Sequence, residues 1–118
     1  MRKQGIGFLA ILVTYLTGCE SPQDDFARLG TENFNQDVWS ISVSSRPYML
    51  HDLIDSYALV GMKATNVKAL LGQSDSFYER DDVPAYFIKA DYSCLVAMPV
   101  DAQSLQVQQV IILPKGCL

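Results

Sequence analysis

The chain has 118 residues, enough for one small domain, and its 49% hydrophobic and 19% charged residues are ordinary for a folded one. Lys and Arg total 9 against 13 Asp and Glu, and Arg2 and Lys3 both fall in a short N-terminal segment, so the remainder is more acidic still. That balance excludes the basic footprint of a nucleic-acid binder and gives no electrostatic pull toward anionic lipid.

Residues 1–4 are positive, residues 6–17 are almost wholly apolar, and small Gly18 precedes Cys19. This is the layout of a cleavable secretory signal peptide over 1–18. The rival reading, a transmembrane helix, fails on length. Residues 6–17 as a helix rise about 18 Å, against a hydrocarbon core of about 30 Å. Residues 19–44 read as a polar tether, rich in turn-prone residues from Ser21-Pro22 through Asn35. Phe26, Phe34, Val38 and Trp39 are its apolar exceptions. Trp39 is expected to pack back onto the domain, the alternative being an exposed aromatic anchor for a partner.

The domain proper is expected over 45–118. Residues 45–60 read as a helix, with Ser45 as its cap, Pro47 in its first turn and Gly61 ending it. Met49, Leu50, Leu53, Ile54, Tyr57 and Ala58 fall on one face at helical period. Residues 63–71 read as a second helix buried through Ala64, Val67, Leu70 and Leu71 and stopped by Gly72. The tight connection at Gly61-Met62 makes the two a helix hairpin. After Gly72 the composition turns to Tyr, Phe, Ile and Val. Segments 76–79, 85–90, 93–100 and 105–113 read as strands, the last two joined by a loop at Asp101-Ala102-Gln103-Ser104. In the last strand Leu105, Val107, Ile111 and Leu113 share a face, with a bulge at Gln109; Pro99 marks an edge or a strand end. The fold class is therefore α+β, a helix hairpin packed on a small antiparallel β-meander in two layers.

Two resemblances follow from these residues. Leu16-Thr17-Gly18-Cys19 resembles the lipobox of bacterial lipoproteins, which implies a diacylglyceryl thioether on Cys19, cleavage before it and acylation of the new amino group. The absence of Asp after the cysteine, where Glu20 stands, leans toward the outer membrane facing the periplasm. The run Gly61-Met62-Lys63-Ala64-Thr65-Asn66-Val67-Lys68-Ala69-Leu70-Leu71-Gly72 resembles the Gly-Met-Thr-x-x-x-Val-x-x-Leu-Leu-Gly signature of the SmpA/OmlA (BamE-like) small lipoproteins. Arg46, Met49, Asp52 and Leu53 resemble an upstream pattern found with it. The resemblance implies two helices on a three-stranded antiparallel sheet. The chain departs from the pattern at Lys63, where a capping Thr is usual, and at Ser74, where Pro is frequent. The signature residues shape the fold and are not reactive.

Cys94 and Cys117 remain once Cys19 is lipidated, and in an oxidising compartment they are expected to pair. The alternatives are a buried Cys94 beside a frayed tail, or an intermolecular bond through Cys117. His51, the single histidine, stands on the polar side of its helix beside Asp52 and Asp55, without a second His or Cys at metal spacing. Asp24-Asp25 and Asp81-Asp82 read as solvated loop charges. No cofactor, metal or catalytic set is expected, nor any nucleotide fingerprint. The leading expectation is a non-enzymatic, lipid-anchored module that contacts an envelope protein, with an edge strip near Pro99 or residues 86–89 as a docking site. The alternative is an inhibitor or ligand-binding module of the same fold, using exposed Tyr78, Tyr86 and Phe87. An enzyme would need a cleft near His51, Asp52 or Asp81.

Overall fold

The computed structural model describes residues 29–118. The expected signal peptide and Cys19 lie outside the described residues. Helices α1 (Gln36–Ile41), α2 (Arg46–Asp55) and α3 (Ala64–Leu71) precede strands β1 (Ala85–Phe87), β2 (Leu95–Ala97) and β3 (Ile111–Leu113). The strands form one antiparallel meander in the order β1-β2-β3, the helices pack on it, and the expected α+β class holds.

The expected tether needs correction, because residues 29–44 belong to the folded unit. Leu29 is buried and Trp39 is completely so. The local signal is a cap: the Asn35 side chain accepts from the N–H groups of Asp37 and Val38 and starts α1. Gln36 then donates to the carbonyls of Ala69 and Leu70 at 3.2 and 3.0 Å, tying α1 to the last turn of α3, where carbonyls lack helical partners. The Phe34 N–H donates to the Asp52 carboxylate at 2.8 Å, and Glu32 N–H to the Tyr48 carbonyl at 3.0 Å. Gly30 lies so close to Tyr48 that a Cβ would meet its Cδ1 at 2.6 Å and its Cα at 2.9 Å. Because one clash is with backbone, Gly30→Ala is expected to push the 29–32 segment off α2. The expected loss is about 1–3 kcal/mol, read as a lower midpoint in urea unfolding.

A 3₁₀ turn at Val43–Ser45 runs directly into α2. Ser45 is therefore already helical and does not cap; its hydroxyl meets that of Ser42 at 2.8 Å instead. Helix α2 buries Met49, Leu50 and Leu53, as expected, but stops at Asp55 rather than at Val60. Tyr57 and Ala58 consequently leave the buried face, and Ala58 takes φ 52°. The physical reason is Leu59. Six residues past Leu53 it would sit about 240° around a continuing helix, away from the core, whereas the turn buries it completely. Gly61 has the expected positive φ, 94°, but in the turn leading to α3. Its N–H donates to Val107 at 2.7 Å, while Val107 N–H donates to Met62 at 2.8 Å, so this connection pairs with the second half of the meander.

Helix α3 buries Ala64, Val67 and Leu71 and ends at Gly72 with φ 88°. Its Lys63 start has no side-chain cap. Residues 76–79 form no strand; they contribute a single bridge, Tyr78 to Arg80. The loop after β2 is built on Asp101, whose carboxylate accepts from the N–H groups of Gln103 and Ser104 at 3.0 and 2.8 Å. From the bridge Val100↔Val107, constant register would place Ala97 opposite Val110, yet Ala97 faces Ile111. One extra residue is thus absorbed around Gln108–Val110, where the bulge was expected. A bulge switches which face follows, so Val107 and Ile112 are the buried pair and Ile111 and Leu113 are only partly covered.

Cys94 and Cys117 stand at disulfide distance, with Cα atoms 5.8 Å apart, inside the range a disulfide requires. Cys94 lies one residue before the Leu95↔Leu113 pair, which brings it beside the start of the tail. Reduction of the oxidised protein, or Cys117→Ser, is expected to lower unfolding stability by about 3 kcal/mol for a loop of this length; a denaturation midpoint unmoved by reductant would show no such bond.

Candidate functional site

The centre of the polar chemistry is Arg46, a buried charged side chain at the first turn of α2. Its position follows from the turn at Val43–Ser45, which aims the helix start back across α1. Its Nε donates to the Trp39 carbonyl at 2.8 Å, and its Nη1 donates to Asp75 Oδ2 at 2.7 Å and to the Phe87 carbonyl at 2.8 Å. The guanidinium also lies 4.9 Å from the Trp39 ring centroid, a cation–π distance. Asp75 uses its other oxygen to accept the Phe87 N–H at 2.8 Å. One Arg–Asp pair therefore joins α1, α2, the loop before β1 and β1 itself. It is half open to solvent on the Asp75 side.

This node also seals one edge of the sheet. Phe87 N–H goes to Asp75, Phe87 C=O to Arg46, Ala85 N–H to Ser74 Oγ at 3.0 Å, and Ala85 C=O receives Ser76 N–H at 3.2 Å. All the outward backbone groups of β1 are thus taken, and the expected docking strip over 86–89 is closed at Phe87. Pro99 lies beyond β2, the central strand, and its carbonyl accepts from Gln108 at 2.8 Å.

The aromatic set expected to be exposed is not assembled. Tyr86 is completely buried, donates its hydroxyl to the Gly72 carbonyl at 2.7 Å, and packs edge-on to Trp39 at 5.7 Å. Burial pushes its phenol up to about 12. Tyr78 is half-buried against the core, while Phe87 stacks at 4.7 Å on Tyr92, which is exposed. Trp39, likewise, is core and not an exposed anchor.

His51 is exposed, its Nδ1 3.3 Å from Asp55. Asp82 pairs with Arg80 at 2.9 Å in its own loop. Among the described residues no group of three or more His, Cys, Asp or Glu is placed to hold a metal ion. A cleft of about 330 Å³ lies between the start of α2 and the segment after β1, lined by Pro47, Tyr48, Ile88, Lys89, Ala90 and Leu118. It is mainly apolar with one cation, and His51, Asp52 and Asp81 are not part of its lining. Neither this cleft nor the sealing of β1 was read from the sequence, because both depend on which loops meet.

Three carboxyls sit below their ordinary value of 3.8. The Phe34 N–H lowers Asp52, the Ser93 hydroxyl lowers Asp91, and the Ser104 N–H lowers Asp101. A depressed folded-state pKa stabilises at pH above the unfolded value and is lost as pH falls through the folded one. The melting temperature is therefore expected to hold down to about pH 5 and to drop below about pH 4. A melting temperature rising on acidification through that window would contradict these contacts.

No family model matches the chain, and no curated protein or solved structure matches it either.

Proposed function

We propose that the protein is a lipid-anchored lipoprotein of a bacterial envelope, held at the outer membrane facing the periplasm, whose α+β domain is a non-enzymatic protein-contact module. The observation that carries this reading is Leu16-Thr17-Gly18-Cys19 placed directly after a positive n-region and a short apolar stretch. Acyl chains on Cys19 at about 0.8 kcal/mol per buried CH₂ would hold the domain to a bilayer without help from its acidic surface. Among the described residues no helix is long and apolar enough to cross a membrane. Positions 19 to 29 span at most about 35 Å when extended, which keeps the domain close to the surface that anchors it.

Two further observations support the reading. Cys94 and Cys117 stand at disulfide distance, which suits an oxidising compartment. The run at 61–72, which resembles the BamE-like signature, supplies a glycine turn followed by a short helix buried through Val67 and Leu71. The barrel-assembly role of that family's best-known member does not carry over with such a fold-shaping motif.

Palmitate labelling in a bacterial host, with intact-mass analysis of the mature protein, tests the anchor. The expected product begins at Cys19 and carries label, and Cys19→Ala abolishes both. A mature chain beginning at any other position, or one without label, overturns the proposal. Crosslinking in intact envelopes tests the contact role, which predicts a reproducible envelope partner.

A further inference from the structure

The cleft beside the start of α2 is bounded by three separate stretches of chain, and each is fixed in place. Gly30 packs against Tyr48, whose carbonyl also accepts the Glu32 N–H at 3.0 Å. Ile88 is completely buried, and its N–H donates to the Cys94 carbonyl at 2.9 Å. The Lys89 carbonyl accepts the Tyr92 N–H at 2.9 Å, which closes the turn that carries Lys89 and Ala90. Leu118 packs against the core next to Cys117. Walls held in this way are formed before any ligand arrives, so binding costs little in ordering them.

The chemistry of the lining is uneven. Pro47, Tyr48, Ile88, Ala90 and Leu118 make it apolar, and Lys89 is its charged side chain. Lys89 is partly buried, and among the described residues its ammonium enters no salt bridge. Asp91, the nearest acid in sequence, accepts instead from the Ser93 hydroxyl at 2.6 Å and the Ser93 N–H at 3.0 Å. Ser93 is the main cause of the lowered Asp91 pKa, and Lys89 adds only a lesser share. A cation partly withdrawn from water and without a carboxylate of its own favours an anion beside it. A neutral ligand would leave that ammonium unpaired, and a dianion would carry a second charge onto apolar walls. The volume of about 330 Å³ is at the small end of ligand clefts, about 300–1,000 Å³, and suits one or two rings or a short alkyl chain.

From these observations we infer that the cleft is a binding site for a small apolar monoanion, a carboxylate or sulfonate on a one- or two-ring or short alkyl body. The acid group pairs with the Lys89 ammonium, and the body lies against Pro47, Tyr48 and Ile88. The chain as a whole carries net −4 and repels anions at a distance, so the site selects by local contact and not by steering. Binding of such a ligand goes beyond the contact module proposed above. It rests neither on the lipid anchor nor on a protein partner.

The test is titration of the full chain in detergent with 4-phenylbutyrate, followed by NMR of isoleucine and leucine methyl groups. The neutral 4-phenylbutan-1-ol serves as the comparison ligand. The expected result is a saturable shift of the Ile88 and Leu118 methyls, with a Kd on the order of 1 mM for a ligand of this size. Lys89→Gln is expected to weaken phenylbutyrate about tenfold, the loss of one charge-assisted contact. The same variant is expected to leave the alcohol's effect on those methyls unchanged, which shows that its cleft is folded. Each ligand is compared between wild type and variant, so its uptake by micelles cancels. Absence of a saturable shift at Ile88 and Leu118 up to about 10 mM overturns the inference. So does a Lys89→Gln variant that binds phenylbutyrate as wild type does, or one that loses acid and alcohol equally, since the loss would then not come from charge.

Discussion

Replacing Arg46 with alanine is expected to cost about 3–5 kcal/mol of folding stability, the range seen when one partner of a buried charge pair is removed. The truncation deletes donors to the Trp39 carbonyl, the Phe87 carbonyl and Asp75 in one step. The Trp39 carbonyl is left buried without this donor, and the partly buried Phe87 carbonyl loses one too. Asp75 fares better, because its side chain is 39% exposed and water can replace the lost contact. The asymmetry makes a second expectation: Asp75→Asn should cost less than Arg46→Ala, about 1–2 kcal/mol. Arg46→Lys separates charge from geometry. A single ammonium cannot reach the three acceptors that the planar guanidinium serves from two nitrogens. The lysine variant should therefore fall between wild type and alanine, although its charge is intact. Urea unfolding at neutral pH with two probes reads all three. An alanine variant within about 0.5 kcal/mol of wild type, the scale of a surface substitution, would mean that Arg46 does not join the layers as described.

Arg46 also shows where sequence reading stops. In the sequence Arg46 stands out only as part of a pattern with Met49, Asp52 and Leu53, and its burial follows from the turn that precedes α2. Periodicity served where the contacts are local. Ala64, Val67 and Leu71 at helical spacing gave α3, and the Asp101 loop gave the turn of the last hairpin. It failed where one residue changes the count. The bulge near Gln109 was legible, but its consequence for the next face was not, and Ile112 took the place that uninterrupted alternation assigned to Ile111 and Leu113. Aromatic chemistry alone does not tell which face Tyr86 takes; its burial follows from pairing with Val96, which is core. As for a docking surface, residue types do not reveal which sheet edge is sealed. Ser74 and Asp75 look like ordinary loop residues until the chain brings them alongside β1.

Trp39→Ala is the substitution expected to act on the largest packing contact, at about 3–5 kcal/mol. The ring is wholly buried, edge-on to Tyr86, tilted at 6.2 Å from Phe34 and beneath the Arg46 guanidinium. Among the described residues its Nε1 is nevertheless a buried donor without a partner, so part of what tryptophan contributes by packing is offset by a desolvated N–H. Phenylalanine keeps a ring in the site and removes that donor. Trp39→Phe is therefore expected to lie within about 1 kcal/mol of wild type, the lost volume set against the relieved N–H. The gap between the two variants distinguishes packing from any role of the indole nitrogen. If Phe proved as damaging as Ala, Nε1 must be satisfied by a group or water that the fold holds there. Trp39 is also the single tryptophan of the chain, so its fluorescence reports this site alone. Emission should be blue-shifted in the native protein and move to the red in the same transition that dissolves the sheet, because α1 and the meander share one core. A separate, earlier red shift would instead make α1 a loosely held arm. By the same argument a chain begun at Ser45 lacks the plug over Tyr86 and the carbonyl that Arg46 binds. It should fail to give a cooperative unfolding transition, whereas one begun at residue 29 should give one.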